Sequence, residues 1–420
     1  MLDRTIAPPI HPIIIPAIPS GEHRQLANGV PFYVVRQGVQ PVVALEVLFP
    51  LNGTDQVLAN LAMTMLQEGT ATHTAEQIKN KLARYGAFFE TSAGLENGSL
   101  SIYTLERFLP ALLPLIVEML TLATFPEAEW HTRQQQSIQN LAVNREKTGY
   151  LANEAFMSAL FSGHPYGEPL TEAKLTATTA QALHTTYYSQ MRMQLPIVVM
   201  SGQFGDALVA EVEQALDQAF TGRASQLLDA LAPMPRGGTQ HVHKAEATQV
   251  SLRMGRRLFS RHHAHYFATR MLVEIFGGYF GSRLMKNIRE EKGLTYGIRA
   301  GVVPLSVDGY LSIGTDVNAE NYQLALDEIA IEMRRLQTEP VPEEELALVR
   351  NYMKGSFAND LGTAFATAEK LKTRLLYNLP DDYYQQYIHA IDTTTAEQLQ
   401  QMANLYLRPE DMVIIAAGAV

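Results

Sequence analysis

Phe125-Pro126-Glu127-Ala128-Glu129 and Val341-Pro342-Glu343-Glu344-Glu345 are one phrase written twice, 125 to 341 being an offset of 216 residues. In both, a proline opens a helix whose first turn carries acids, where they meet the positive end of the helix dipole. Thr178-Thr179-Ala180-Gln181-Ala182-Leu183 and Thr394-Thr395-Ala396-Glu397-Gln398-Leu399 repeat at the same offset, 178 to 394. Each second match leads through a helix and a proline into an apolar strand ending in glycine, 195–202 in one half and 408–418 in the other. An ordered series of matches at one offset marks an internal duplication.

Working outward, both halves carry the same order of elements. A strand (42–49; 249–255) precedes a helix (57–67; 265–276), and a further helix turns into paired strands (87–105; 294–315). About three helices and a last strand close each unit. This order predicts an α+β fold of two homologous lobes, each a mostly antiparallel sheet covered by helices on one side. The first lobe is expected over 1–221 and the second over 241–420. A linker over 222–240, containing Pro233, Pro235, Gly237 and Gly238, is expected to join them like half a clamshell, with a cavity between.

A chain of 420 residues exceeds one ordinary core, which agrees with two units. Net charge of −10 offers no basic surplus for nucleic acid. The absence of cysteine excludes disulfides, thiol nucleophiles and thiolate metal sites, and leaves the compartment open. The stretch 1–20 is proline-rich (Pro8, Pro9, Pro12, Pro16) and reads as an extended arm rather than a signal-peptide helix. No apolar run approaches the ~20 residues that span a bilayer. A cytoplasmic location is expected, or a periplasmic one if a leader has been removed.

Leu284-Met285-Lys286-Asn287-Ile288-Arg289-Glu290-Glu291-Lys292-Gly293-Leu294-Thr295-Tyr296 begins with helical spacing, reaches a glycine suited to a left-handed helix end, and continues with strand alternation. Leu294, Tyr296 and Ile298 are expected on one side of that strand. The frame would hold Arg289 near Tyr296, a cation and a phenol able to grip a peptide carbonyl or an anion. On these residues alone, a surface arginine and a half-buried tyrosine remain the plainer alternative.

Taken together, these features resemble the M16 (pitrilysin- or insulinase-like) metallopeptidases over nearly the whole chain. They are the duplicated lobes, the stretch 59–70 followed by Thr74-Ala75, Ser162-Gly163-His164-Pro165-Tyr166-Gly167, Phe276-Gly277-Gly278 and the Arg289–Tyr296 motif. The resemblance implies an inverted zinc motif, H-x-x-E-H, on the second element of the first lobe. Aligned on Gly69-Thr70, that motif falls on Asn60, Leu61, Ala62, Met63 and Thr64. Both histidines and the general-base glutamate are therefore gone. The third ligand would lie around Gln139, Asn140 or Leu141, where there is no carboxylate. Amide, hydroxyl and thioether groups do not replace imidazole and carboxylate on zinc, so no zinc is expected in this chain.

Bacterial relatives of this kind divide the work between a subunit with the zinc motif and one that keeps only the arginine and tyrosine. This chain has the second pattern. The resemblance then implies a heterodimeric peptidase in which the partner carries H-x-x-E-H and zinc, and Arg289 and Tyr296 act in trans on a polypeptide substrate. The isolated chain would be inactive, and its self-association is left open. A non-catalytic scaffold of the same fold is the alternative, and a stand-alone peptidase with another site a weaker third.

Other motifs read as structural. His73-Thr74-Ala75-Glu76-Gln77 lacks the last histidine of the zinc motif, and Thr74 with Gln77 forms a capping box. The cluster His262, His263 and His265 opens a helix, and His241 and His243 share a strand face. His164 serves its own turn. Phe276-Gly277-Gly278 lacks the pattern of a phosphate loop and reads as a close-packed bend.

Overall fold

The computed structural model describes residues 13–15, 21–52, 54–220 and 237–420. The first lobe is built on six strands: β1 (Glu22–Gln25), β2 (Pro31–Arg36), β3 (Val42–Pro50), β4 (Phe88–Ala93), β5 (Asn97–Leu105) and β6 (Ile197–Gly202). They lie in the order β1-β2-β6-β3-β5-β4. The second lobe has β7 (Gly238–His243), β8 (Gln249–Leu258), β9 (Thr295–Pro304), β10 (Gly309–Asn318) and β11 (Val413–Gly418), in the order β7-β11-β8-β10-β9. Only the β2/β6 and β7/β11 pairs are parallel. Strand for strand the two sheets match, with β1 an addition to the first. The duplication in the sequence is a duplication in space.

Strand β3 explains how each sheet is covered. Val43, Leu45, Val47 and Phe49 point into the core formed with the first lobe's own helices, as period-2 alternation requires. The opposite face, which helices of the same lobe leave open, is covered as well. There Leu48 packs with Val35, Val199, Ala368 and Leu371, the last two from the helix Ala364–Leu376 of the second lobe. Reciprocally, the first lobe's helix Thr148–Leu160 lies on β8 and β11, where Phe156 and Leu160 pack with Val413 and Ile415. The two exchanged helices are related by the same 216-residue offset, 148 to 364. Helices on one side of a sheet thus describe each lobe by itself, and the exchange covers the second side.

Polar contacts reinforce the exchange. Lys372 donates to Glu46 of β3 at 2.6 Å, both side chains being buried. Glu96, in the β4–β5 turn, accepts from the Ser306 amide of the β9–β10 turn at 2.8 and 3.1 Å. It also accepts from the Tyr166 hydroxyl at 2.9 Å. Burial and the adjacent Glu96 charge push the Tyr166 hydroxyl pKa up, so it stays a donor.

Strand β7 begins at Gly238, so 238–240, expected in the linker, belong to the second sheet. Residues 222–236 of that linker, and most of the amino-terminal arm, lie outside the described residues. Of the arm, Ile15 packs against the second lobe's core. Among the described residues no helix is long and apolar enough to cross a membrane.

Candidate functional site

Arg289 sits on a π-helical segment, Met285–Glu291. Leu284, Met285 and Ile288 anchor it in the second lobe's core, and the Asn287 amide donates to Glu332 at 2.8 Å and Glu328 at 3.1 Å. The segment ends as the glycine signal predicts. Gly293 takes φ +63°, and the Leu294 amide donates back to the Ile288 carbonyl at 3.0 Å.

The strand that follows departs from simple alternation. Ile298 pairs with Thr315 and Thr295 with Val317, so Tyr296 and Gly297 together oppose one residue, Asp316. That is a β-bulge, which bends a strand and re-aims a side chain. Thr295 holds it: its hydroxyl donates to the Asp316 carbonyl at 2.7 Å and accepts from the Gly297 amide at 3.1 Å. Thr315 adds a hydrogen bond to the Gly297 carbonyl at 3.0 Å. Tyr296 therefore does not share the face of Ile298. Ile298 is fully buried, whereas Tyr296 is 91% exposed.

The bulge turns the Tyr296 ring toward Arg289. The guanidinium carbon lies 5.2 Å from the centre of that ring and 4.7 Å from that of Phe280. Phe280 is itself 62% exposed. The cation is thus held between two aromatic rings, an attraction worth about 0.5–1 kcal/mol per ring at such exposure. Among the described residues no ion pair or hydrogen bond occupies the Arg289 guanidinium. Arg289 is half-buried, and the Tyr296 side chain beside it stands exposed. Phe280 was missed by the sequence reading: it lies between Tyr279 and Gly281, nine residues before Arg289, and nothing in those residues ties its ring to that cation.

The first-lobe positions behave differently. Asn60, Met63 and Thr64 lie on the helix Gln56–Met65, capped by Asp55. The Asn60 amide donates to the Ala93 carbonyl at 3.1 Å, and the Thr64 hydroxyl to the Leu61 carbonyl at 2.7 Å. Met63 is fully buried in the core. On the helix Glu127–Arg145, Gln139 and Asn140 are exposed and Leu141 is buried. These neutral groups, two of them already hydrogen-bonded to backbone and one turned into the core, do not fit a zinc ion. Among the described residues no three His, Cys, Asp or Glu side chains converge on a metal position. Beside the first turn of this helix a cavity of about 340 Å³ is lined by Gln56, Leu95, Tyr150, Glu154, Tyr166 and, from the second lobe, Tyr310.

Most of the histidines singled out in the sequence have a local partner. Thr74 and Gln77 form the capping box, and His73 Nδ1 lies 2.9 Å from Glu118. His164 Nδ1 accepts from the Tyr166 amide at 3.2 Å. His263 stacks on Phe259, with ring centres 4.1 Å apart, and His265 Nδ1 is 2.8 Å from the Tyr406 hydroxyl. His241 and His243 are both exposed on β7. Gly277 lies so close to Ala300 that a Cβ would come within 2.8 Å of it, the tight bend expected there.

Residues 174–353, which include Arg289 and Tyr296, match the family model described as "Peptidase M16 inactive domain". Over that part the chain is similar to the M16 peptidase family. The chain is 24% identical over 317 residues to an "Uncharacterized zinc protease" of Rickettsia felis, covering 73% of this chain and 74% of that one. It is 22% identical over 310 residues to an "Uncharacterized zinc protease" of Bacillus subtilis, with the same coverage. Its fold is shared with the peptidase M16 inactive domain from Pseudomonas fluorescens (TM-score 0.83, 23% identity, 95% and 98% of the two chains). A protease from Helicobacter pylori is similarly alike (TM-score 0.85, 16% identity, 96% and 100%).

Proposed function

We propose that this chain is the zinc-free subunit of a two-subunit metallopeptidase, supplying Arg289 and Tyr296 to a substrate held at a partner's zinc. The observation that carries the reading is the bulge at Tyr296 and Gly297. A strand that simply alternated would put the tyrosine on the face of buried Ile298, yet an added residue and three threonine hydrogen bonds present it outward beside an unpaired arginine. Such an arrangement has no evident use in holding the lobe together. It suits binding to something outside the chain.

In this reading the Tyr296 hydroxyl donates to the scissile carbonyl oxygen as charge develops on it. Arg289 holds the peptide backbone or steadies the phenol, kept in place by Phe280. A donor aimed at a developing oxyanion lowers the barrier by about 3–4 kcal/mol. The zinc of the partner, carried on its own H-x-x-E-H helix, supplies the Lewis acid and the hydroxide. An extended polypeptide, paired to an exposed sheet edge such as β4 or β9, is the substrate class that fits.

The test is co-expression with an H-x-x-E-H relative, purification of the pair and a peptide-cleavage assay. The chain alone is expected to be inactive and the pair active. The second reading is a non-catalytic scaffold. It is favoured by the fold shared with a chain of Complex III2 from Candida albicans (TM-score 0.74, 14% identity). It predicts a stable complex whose activity does not respond to Arg289 or Tyr296.

A further inference from the structure

The duplication places a second helix pair in the second lobe, in the position that Gln56–Met65 and Glu127–Arg145 hold in the first. There the helix after β8, Tyr266–Val273 continued by Glu274–Gly278, faces the helix Glu343–Asn359. The 216-residue offset carries Asn140 onto Ser356. Where the first lobe has neutral side chains, this pair encloses a polar cavity of about 70 Å³ lined by Arg270, Glu274, Ser356, Asp360, Lys370 and Tyr387, among others.

The charges in this cavity are unevenly matched. Lys370 donates to Asp360 at 2.6 Å, so that pair is satisfied internally. Arg270 and Glu274, four residues apart on one helix, would ordinarily form an ion pair. Here no nitrogen–oxygen contact within 4.0 Å joins them, and neither has a hydrogen-bond partner among the described residues. Instead the Arg270 guanidinium lies 4.7 Å from the centre of the Tyr387 ring, and the Arg270 side chain lines the cavity. Tyr387 is buried. Arg270 and Glu274 attract one another across the cavity without a direct hydrogen bond, and a ligand that supplies hydrogen bonds to the half-buried guanidinium lowers the cost of burying it.

We propose that this cavity binds a carboxylate, either a small free carboxylate or the carboxylate end of a longer molecule entering past Ser356 and Tyr352. A guanidinium fork matches a carboxylate with two parallel hydrogen bonds. One water needs roughly 10–15 Å³ of such space, so the cavity holds a group of a few heavy atoms. Burial raises the Glu274 pKa and Arg270 lowers it, the net effect being upward, which eases the approach of a second carboxylate. Two nearby carboxyl groups make a phosphate dianion a poor fit.

The experiment is ligand-observed saturation-transfer NMR on the full chain with sodium acetate, against sodium chloride at equal ionic strength. Alanyl-alanine and its carboxamide serve as a second pair of probes. Acetate binding alone points to a free carboxylate, and preference for the free-acid dipeptide over its amide points to a peptide end; both uphold the proposal. R270Q should weaken binding about tenfold or more, and R270K, which keeps charge but not the fork, should also weaken it. E274Q keeps the shape and removes the competing charge, so it should bind acetate as well as the parent chain or better. Absence of binding to both acetate and the free-acid dipeptide overturns the proposal. Undiminished binding in R270Q or, if that variant does not fold, in R270K overturns it too.

Discussion

The Arg289 guanidinium lies 5.2 Å from the centre of the Tyr296 ring, although six residues, a helix end and a bulge separate them in the chain. Each part of that connection has its own cause. Gly293 reverses the chain, Thr295 fixes the bulge, and Phe280 closes the far side of the cation.

Gly293 is the first place to test the frame. Its φ of +63° is costly for a residue with a Cβ, while a Cβ there would meet nothing within 4 Å. Gly293→Ala should therefore destabilise the chain by about 1 kcal/mol through backbone strain alone, and Gly293→Asn by less. Urea unfolding of the two variants measures both values.

Lys372 and Glu46 test the helix exchange. Both are buried, and Lys372 also contacts Glu369. Lys372→Met leaves Glu46 buried without its cation and should cost about 3–5 kcal/mol. The double variant with Glu46→Leu should recover most of that loss, because no charge is left uncompensated. A double-mutant cycle by chemical denaturation reads the coupling.

These exchanged helices mark where the sequence was legible and where it was not. Periodicity and repeats are local signals, so the strands, the paired lobes and the Gly293 helix end could all be read from them. The helix 364–376 has an apolar face in either case, and nothing in its own residues says that β2 and β6 of the other lobe receive it. The bulge at Tyr296 was hidden for a similar reason. Leu294, Tyr296 and Ile298 satisfy strand alternation, and only the register against Asp316 and Val317 reveals the extra residue. The Arg289–Tyr296 pair was legible as a motif, its aromatic partner Phe280 was not, and the polar cavity at Arg270 gave no sequence signal.

Acid sensitivity should centre on Glu118. Burial pushes its pKa up, but hydrogen bonds from Thr70, Thr72 and His73 outweigh this and bring it down to about 2. A carboxylate whose folded pKa lies below its unfolded value near 4.5 stabilises above that value and loses the contribution as pH falls toward 2. The loss is at most about 3 kcal/mol for this one group. Glu118→Gln should be less stable at pH 7 and show a shallower decline between pH 5 and pH 2, measured by thermal unfolding across that range.

The central claim is that Tyr296 works on a substrate held by another chain, and its hydroxyl is the atom to remove. Turnover of a peptide by the purified pair, comparing the parent chain with Tyr296→Phe, tests it directly. The ring and its contact with Arg289 are retained in that variant, so folding and pairing should be unchanged. Turnover should fall by about 100-fold or more. Unchanged turnover in an intact complex would contradict the account and leave the chain a scaffold.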